Sequence, residues 1–362
     1  MATAIRVEML PARLGDCLLV ECLRPRRRPW RMLVDGGPAD TWPLLQARLD
    51  RLPATDPTID AAVVTHIDSD HIGGMIPFLA SDFAREHVRD VWFNGRPHLS
   101  RPRSAPRSVA QGETVTATLT GAPGAQPGMP WNLAFSGGAI AAAPAPGIRE
   151  VSIPNGPRIT VLSPNAPRLA ALGKVWFETL DKALRPDHER PLPAPLGPLG
   201  DLAALAARRT AKDSTAANGS SIALLVEHRG ASLVLGADAF GPVLAESLRA
   251  VAQARGIPAL AVDALKLPHH GSQANVIGNL ISVAPARHYL VSSNGDTFGH
   301  PDDPAIARVV TGAPSGATLW FNYRNARTQR WADATLTSRH GYAVRYPTKP
   351  DTGVLVRLPV RS

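Results

Sequence analysis

The amino-acid sequence predicts an α/β protein that forms a four-layer αββα sandwich. Short apolar runs with the length of buried strands occur in both halves of the 362-residue chain, and loops and helical patterns follow them. The residues best suited to bind metal lie in the loops after these strands. Strand–loop–helix units of this kind fit two packed sheets with helices on the outer faces and a site at one edge.

The N-terminal half reads as a strand meander followed by alternating helix and strand. Apolar residues alternate or run between turn residues in the strand segments, and they recur at helical spacing in the helix segments. The predicted elements are strands over 5–10, 16–23 and 30–35, a helix over 42–52, a buried strand over 61–64 and a helix over 75–80.

The C-terminal half returns to the same pattern after a less regular stretch. Residues 94–156 are rich in Pro, Gly, Ser and Ala, which predicts an insertion of loops and short strands, and 186–200 is a Pro-rich linker. Because composition marks no separate unit, we expect one domain over 1–362. The later predicted elements are a helix over 201–209, a hairpin of 222–227 and 232–235, a helix over 242–255, and strands over 264–267 and 288–292.

The chain is strongly basic. Its formal net charge is +9, while 44% hydrophobic and 19% charged residues are ordinary for a globular protein. A positive surplus favours polyanionic partners such as nucleic acid. A coding bias towards Arg is the alternative, but it does not explain the sign of the surplus. The basic turn at 24–29 is either a solvated hairpin tip or an arm that contacts phosphates.

The two cysteines, Cys17 and Cys22, lie in one strand-like segment. Their odd spacing directs the side chains to opposite faces, so we expect two buried thiols rather than a disulfide. The sequence has no signal-peptide pattern at its start and no run of eighteen apolar residues. We therefore expect a cytoplasmic protein without membrane spans.

Four potential metal ligands fall within six residues directly after the strand predicted at 61–64. They are His66, Asp68, Asp70 and His71, and a Gly-Gly pair follows them. Imidazole and carboxylate together suit a first-row divalent ion. A solvated polar loop is the alternative, but such a loop rarely places this pattern against the end of a strand.

The segment His66-Ile67-Asp68-Ser69-Asp70-His71 resembles the second motif of the metallo-β-lactamase fold, usually His-x-His-x-Asp-His. The form with Asp68 at the second His is similar to the hydrolase domain of ComEC-type competence proteins and their free-standing relatives. Other segments resemble further motifs in the same order, namely 14–21, 33–37, 218–222, 235–238, 266–272 and 299–301.

This resemblance implies a centre of one or two divalent ions, Zn or Mn. It implies that two ions about 3.5–4 Å apart would share a hydroxide and suit in-line phosphoryl displacement. Asp68 replaces an imidazole, and Asn218 stands where other members have a metal-binding His, so the first position has fewer nitrogens. The implied ligands are His66, Asp68 and Asp238 for one ion, and Asp70, His71, Asp238 and either His269 or His270 for the other.

The resemblance also implies roles for residues around the ions. Asp35 would brace the metal site from beneath, and Asp70 would serve catalysis as well as binding. Lys266 is either a phosphate contact or a solvated surface group, and His300 either acts on the leaving group or is structural. The residues expected to line the substrate are Asn218, Ser221, Ser272 and Asn294.

The sequence therefore predicts a metal-dependent hydrolase, with a phosphodiesterase or nuclease acting on DNA or RNA as the first interpretation. One alternative is a hydrolase of a lactone, lactam or thioester, because the same metal ligands support acyl chemistry. The other is a non-catalytic defence or assembly module on the same fold.

Overall fold

In a computed structural model, described over residues 2–99, 111–122, 126–183, 196–349 and 352–361, two β-sheets pack face to face. The strands in these ranges are β1 (Thr3–Met9), β2 (Leu18–Cys22), β3 (Trp30–Val34), β4 (Ala61–Val63), β5 (Val91–Trp92), β6 (Gly121–Ala122), β7 (Gln126–Pro127), β8 (Arg149–Ser152), β9 (Arg158–Ser163), β10 (Ala223–His228), β11 (Ala231–Leu235), β12 (Val262–Lys266), β13 (Ala286–Val291), β14 (Thr318–Phe321), β15 (Ala343–Arg345) and β16 (Val354–Pro359).

Helices cover the outer face of each sheet. The α-helices in the described ranges are α1 (Trp42–Leu49), α2 (Ser69–Ile72), α3 (Met75–Ala80), α4 (Asp82–His87), α5 (Gln111–Thr120), α6 (Ala166–Ala183), α7 (Leu202–Ala207), α8 (Ala216–Gly219), α9 (Gly241–Ala254), α10 (Gly278–Val283), α11 (Asp303–Gly312), α12 (Ala326–Gln329) and α13 (Ala334–His340).

Strand order explains why one edge of the molecule gathers loops. The first sheet has the order β16-β1-β2-β3-β4-β5, with β3, β4 and β5 parallel. The second has the order β15-β14-β13-β12-β11-β10-β9-β8, with β11 to β15 parallel. The carboxyl ends of parallel strands lie at the same edge of a sheet, and the loops that leave them meet there.

Three layers of apolar side chains hold the sandwich together. The middle layer lies between the sheets and includes Val7 and Met32 from the first sheet and Leu224 and Leu290 from the second. Helices α9, α10 and α11 pack on the outer face of the second sheet. Helices α1, α3 and α6 contribute to the layer outside the first sheet. This arrangement confirms the predicted four-layer αββα class.

The insertion at 94–156 differs from the prediction of loops and short strands, because Gln111–Thr120 is a ten-residue helix. Its β-branched residues disfavour a helix by propensity. The hydroxyls of Thr116, Thr118 and Thr120 nevertheless donate hydrogen bonds to the carbonyl oxygens four residues earlier. Val115 and Leu119 are buried in the layer outside the first sheet. Tertiary burial thus decides this element. Most of the predicted linker over 186–200 lies outside the described residues.

The two cysteines behave as predicted. Both are free and buried, with Cys17 in the layer under the helices and Cys22 in the layer between the sheets. Across the described ranges, no helix has the length and apolarity needed to cross a bilayer.

Backbone contacts between glycines fix the approach of two loops at the edge. Gly36 follows β3 and Gly74 precedes α3, and a Cβ on Gly74 would lie 2.1 Å from the carbonyl oxygen of Gly36. The neighbouring backbone bonds Gly36 N–H to His71 O (3.0 Å) and Gly74 N–H to Gly37 O (2.8 Å) join the same loops. Only glycine permits this contact at either position.

We expect Gly74→Ala to lower the free energy of unfolding by about 1–3 kcal/mol, the usual cost of overpacking. Gly74 has helical φ and ψ of −76° and −19°, so the cost is steric rather than conformational. The matched control is Gly278→Ala, since nothing lies within 4 Å of a Cβ there. Denaturant unfolding of both variants measures the difference. Equal stability of the two would contradict the close-approach argument.

Candidate metal centre

The predicted ligands gather at the edge where the parallel strands end. Each ligand lies on a loop that begins at the end of a buried strand, so the position of the strand in the sheet fixes where the loop begins. The strand ends contribute Asp35 after β3, the segment 65–71 after β4, Asp238 after β11, His269 and His270 after β12, and Ser292 after β13.

Asp238 stands at the middle of this cluster, and its two oxygens face different partners. Oδ1 lies 3.3 Å from His71 Nε2 and 3.5 Å from His270 Nε2. Oδ2 lies 3.9 Å from His66 Nε2 and 3.6 Å from His269 Nε2. The carboxylate therefore divides the four imidazoles into two pairs. We call the atoms around Oδ2 the first donor set and those around Oδ1 the second donor set.

An aspartate completes each donor set. In the second, Asp70 Oδ2 lies 3.5 Å from His270 Nε2, and the ligand atoms of Asp70, His71 and His270 all lie within 4.8 Å of one another. In the first, Asp68 Oδ2 lies 3.6 Å from His66 Nε2. The first set is the looser of the two. Its atoms lie 3.6–3.9 Å apart in pairs, whereas three ligand atoms of the second set all lie within 4.8 Å of one another.

Both consecutive histidines reach the centre because their backbone is unusual. His269 and His270 have φ of +49° and +53°, the left-handed region that non-glycine residues rarely adopt. Their rings stand 6.0 Å apart at 73°, so each faces a different oxygen of Asp238. The sequence left open which of the two lies at the metal site. The structure places His270 in the second donor set and His269 in the first.

Asp35 fixes the orientation of two histidines from below. Its Oδ2 lies 2.8 Å from His71 Nδ1 and accepts a hydrogen bond from the Thr65 hydroxyl at 2.7 Å. Because that hydroxyl donates its proton to Asp35, its oxygen is left to accept from His66 Nδ1 at 2.9 Å. Both rings then carry their proton on Nδ1 and direct a lone pair from Nε2 into the cluster.

His270 is held through an analogous relay that contains Lys266. The Ser292 hydroxyl bonds Asp16 Oδ1 and lies 3.1 Å from His270 Nδ1, while Lys266 Nζ donates to Asp16 Oδ2 at 2.8 Å. Lys266 and Asp16 each have a side chain only 1% exposed. The prediction that Lys266 contacts a substrate phosphate or lies on the surface is therefore wrong, because its charge is buried against Asp16.

The unpaired atoms of the cluster fit a metal centre. His66 Nε2 and Asp238 Oδ1 are buried without a hydrogen-bond partner, and His71 Nε2 faces His270 Nε2 at 3.1 Å. Two imidazole nitrogens cannot both present lone pairs at this distance without a cation or a shared proton between them. Atoms that each lie about 2.1 Å from one ion at the tetrahedral angle are about 3.4 Å apart, close to the spacings here.

The electrostatics agree with a site built for cations. Burial alone would lower the pKa of His71, but the carboxylates of Asp238 and Asp70 outweigh it and raise that pKa well above its ordinary value. For His269 burial also acts downward, and Asp238 and Asp213 raise its pKa to about 9. Burial would raise the pKa of Asp238, yet the surrounding histidines hold it well below its usual range.

His300 lies beside the first donor set. Its ring centroid is 5.2 Å from that of His269, and the ring of Phe298 stacks with it at a centroid distance of 6.2 Å. Burial lowers the pKa of His300, and the nearby carboxylate of Asp302, 3.5 Å from Nδ1, only partly offsets that effect. The ring is thus at the margin of the cluster and separate from both groups of atoms around Asp238.

The four residues expected to line the substrate occupy different surroundings. Asn218 lies behind His269, with Nδ2 donating to Asp213 at 2.8 Å. Ser221 is fully buried with an unpartnered hydroxyl. Ser272 accepts from the backbone of Ala274 within its own turn. Asn294 donates to Asp296 in the loop that leads to His300. Their contact with substrate stays a prediction.

The basic segments predicted to contact phosphates are not all at this edge. The β2–β3 hairpin that carries Arg26, Arg27 and Arg28 lies at the opposite end of β3 from Asp35. Arg28 is also paired with Asp60 at 2.6 Å and with Asp56 at 2.8 Å. The hairpin therefore does not lie at the rim of the site, and its contact with phosphates stays a prediction. A second basic segment with Arg101, Arg103 and Arg107 occurs in the sequence, and we expect it to contact phosphates as well; it lies outside the described residues.

The supporting roles of several residues around the centre were not predicted. Asp16 lies within the recognised segment 14–21, Thr65 directly precedes the segment 66–71, and Ser292 ends a predicted strand, but only their buried hydrogen bonds show their role. Asp213 and Asn275 carry no motif at all. Asp213 lies five residues before Asn218 and Asn275 three after Ser272, and neither spacing signals a contact with His269.

Comparison with known proteins identifies the family. A family model described as the metallo-beta-lactamase superfamily matches residues 31–296. No match was found among curated proteins.

Several solved structures are similar to the chain. The metallo-beta-lactamase fold protein YhfI from Bacillus subtilis is 12% identical, with 98% of this chain and 99% of that chain covered and a TM-score of 0.42. CmlA, a diiron beta-hydroxylase from Streptomyces venezuelae, is 13% identical, with 99% of this chain and 55% of that chain covered and a TM-score of 0.39. MIM-1 from Novosphingobium pentaromativorans is 11% identical, with 85% and 89% covered and a TM-score of 0.31.

The family match covers most of the chain, including β3, β4, and the loops that carry Asp35, His66 to His71, Asp238, His269 and His270. The chain belongs to the metallo-β-lactamase superfamily.

Proposed function

We propose that this protein is a metal-dependent phosphodiesterase that cleaves nucleic acid. Family membership supports the general chemistry of a metal-dependent hydrolase. The observation that carries the narrower proposal is the bridging position of Asp238, whose two oxygens face two donor sets. Two adjacent cations suit phosphodiesters, because the attacking and the leaving oxygen both carry negative charge in the displacement.

The donor sets supply nitrogen and oxygen in a mixture that suits Zn²⁺ or Mn²⁺. His66, His269, Asp68 and one oxygen of Asp238 would hold one ion, and His71, His270, Asp70 and the other oxygen would hold the second. Bound there, the ions would supply Lewis-acid polarisation of the scissile group and a hydroxide nucleophile at neutral pH. No serine or cysteine nucleophile is then needed.

The protein's own side chains then orient the ligands and receive the substrate. Asp35 and Thr65 hold His71 and His66 with Nε2 directed inward. His300, next to His269 and only 12% exposed, is positioned to hydrogen-bond or protonate a leaving oxygen. The net charge of +9 supports a polyanionic substrate, and so does the likeness of the ligand motifs to those of the ComEC-type competence proteins.

We expect phosphodiesterase activity with Mn²⁺ or Zn²⁺ and weak activity with Mg²⁺, because four imidazoles disfavour an ion that prefers octahedral oxygen ligands. The test compares the three ions with single- and double-stranded DNA, RNA, bis-p-nitrophenyl phosphate, a lactam and a lactone. The logarithm of the binding constant for nucleic acid should fall linearly with the logarithm of the salt concentration.

Turnover of the lactam or lactone without any phosphodiester cleavage would favour the acyl-hydrolase alternative. Absence of turnover on every substrate, with metal bound, would favour a non-catalytic module. Full activity in Mg²⁺ after Zn²⁺ and Mn²⁺ have been stripped would contradict the assignment of the imidazoles as ligands.

We expect Asp238→Ala to release both ions, because each donor set loses an anionic oxygen. Metal analysis of the purified variant by mass spectrometry measures the stoichiometry, and thermal unfolding checks that the fold survives. The control is Asp82→Ala, whose side chain is 93% exposed and pairs with Arg85 on the same helix. Wild-type metal content in Asp238→Ala would remove Asp238 from the centre.

We expect His300→Ala to reduce turnover by roughly two to four orders of magnitude, as for a lost general acid, while metal content is unchanged. The loss should shrink with a p-nitrophenyl ester, whose leaving group needs no proton. His340→Ala, in the last turn of α13, is the control. Loss of metal from His300→Ala would show that His300 is a ligand instead. Full wild-type activity of the variant on both substrates would show that His300 is structural.

A further inference from the structure

The side chain of Asp213 lies beside the first donor set, and neither a motif nor the proposed chemistry accounts for it. Its side chain is 7% exposed and all of its acceptor positions are used. Oδ1 accepts from the backbone N–H and the hydroxyl of Thr215, both at 2.9 Å. Oδ2 accepts from Asn218 Nδ2 at 2.8 Å and Asn275 Nδ2 at 3.2 Å, and it lies 3.3 Å from His269 Nδ1.

The amide of Asn275 has one orientation that satisfies its neighbours. Its nitrogen lies 3.2 Å from each of three acceptors, namely Asp213 Oδ2 and the backbone oxygens of Asp238 and Ala239. Its Oδ1 is therefore the atom that meets His269 Nδ1, at 3.1 Å. An amide oxygen can only accept, so the proton of His269 lies on Nδ1.

This arrangement decides what the other side of the His269 ring offers. With the proton on Nδ1, Nε2 carries the lone pair, and Nε2 is the atom that faces Asp238 Oδ2 at 3.6 Å. If Asn275 turned its amide over, it would present N–H groups to Nδ1, and the ring would place its proton on Nε2. A ring protonated on Nε2 cannot bind an ion there.

Resting on the metal centre of the proposed function, we infer that Asp213 is a positioning residue that, together with Asn275, holds the proton of His269 on Nδ1 and thereby commits His269 Nε2 to the first metal position. Removing the carboxylate deletes the acceptor that lies 3.3 Å from His269 Nδ1 and one of the three acceptors of the Asn275 amide nitrogen, so the proton is held on Nδ1 less firmly. The second donor set is held through Asp35 and Asp16 instead, so it does not depend on Asp213.

Arg308 holds the two loops that this contact joins. Its buried guanidinium donates to the backbone oxygens of Arg208 and Ala206 before Asp213, and to those of Gln273 and Val276 on either side of Asn275. The hydroxyl of Thr210 also donates to Gln273 O at 2.8 Å. The separation of Asp213 from Asn275 is therefore fixed by backbone contacts that a substitution of Asp213 leaves in place.

The test is a metal titration of the whole protein against a chromophoric chelator, with Zn²⁺ as the probe. We expect Asp213→Ala to lower the affinity for one of the two ions by about 10- to 100-fold and to leave the affinity for the other unchanged. This is the range found when a hydrogen-bond partner of a metal ligand is removed. Asp213→Asn keeps the shape of the side chain and should also lower the affinity for that ion, and His269→Ala should abolish its binding. With Co²⁺ as the probe, all three variants should lose the absorption that comes from the ion in the first donor set.

The matched control is Asp201→Ala, because Asp201 also accepts a backbone N–H, that of Ala204 at 2.7 Å, at the start of α7. It should lower stability slightly and leave both affinities unchanged. Thermal unfolding separates misfolding from loss of metal, and Asp213→Asn serves if Asp213→Ala does not fold.

Two wild-type affinities in Asp213→Ala and Asp213→Asn, together with a folded protein, would overturn the inference. That result is distinct from failure of the proposed function. A wild-type protein that binds two ions but cleaves no phosphodiester would refute the substrate class and leave the role of Asp213 standing.

Discussion

The constraint on which the rest of the structure depends is the burial of several carboxylates at one sheet edge. Asp16, Asp35, Asp70 and Asp238 are each at most 8% exposed, and Lys266 is the buried ammonium among them. Buried charge is costly unless it is paired and hydrogen-bonded. Lys266 and the Ser292 hydroxyl satisfy Asp16, and Thr65 and His71 satisfy Asp35. Among the described residues, the groups that can offset the charge of Asp238 and Asp70 are imidazoles, and the two carboxylates also repel each other, which favours cations at this place.

Each of the two sheets contributes part of the candidate ligands. The first sheet supplies His66, Asp68, Asp70 and His71 together with their support, Asp35. The second sheet supplies Asp238, His269 and His270. The Lys266–Asp16 pair joins the two, because Lys266 ends β12 and Asp16 precedes β2. An ion bound between the sheets would add to the apolar packing, the hydrogen bonds such as that from Ile222 N–H to Thr65 O, and the buried pair that already join them.

The sequence predicted the elements that begin from strong local patterns. The helix over 75–80 and the hairpin of β10 and β11 lie within a residue or two of their predicted bounds, because apolar periodicity and turn residues agree there. Helix α6 was not predicted, although Leu169, Leu172 and Trp176 are buried at helical spacing. The C-terminal strand β16 was also missed, since its place beside β1 depends on pairing between the two ends of the chain.

The same division applies to the site. Ligands that cluster in sequence, such as His66 to His71, could be predicted, because four donors in six residues are informative by themselves. The resemblance to a family implied Asp238 and the histidine pair. The residues that hold the ligands in place could not be predicted, since Asp213 and Asn275 meet His269 only after separate loops fold together. Lys266 shows the converse error, because a charged residue in a motif was expected to contact a phosphate or to lie on the surface, whereas its buried partner, Asp16, lies 250 positions away in sequence.

The two donor sets differ in exposure, and this difference gives the centre a direction. In the second set, the side chains of His71 and His270 are at most 1% exposed and that of Asp70 is 12% exposed, against 8% for the whole residue. In the first, the side chain of His66 is buried, but those of Asp68 and His269 are 34% and 23% exposed. A buried, closely gathered set favours a tightly held ion, whereas an open set exchanges ligands and water more easily. We therefore expect substrate to approach from the side of Asp68, His269 and His300, with the buried donor set on the far side of the centre.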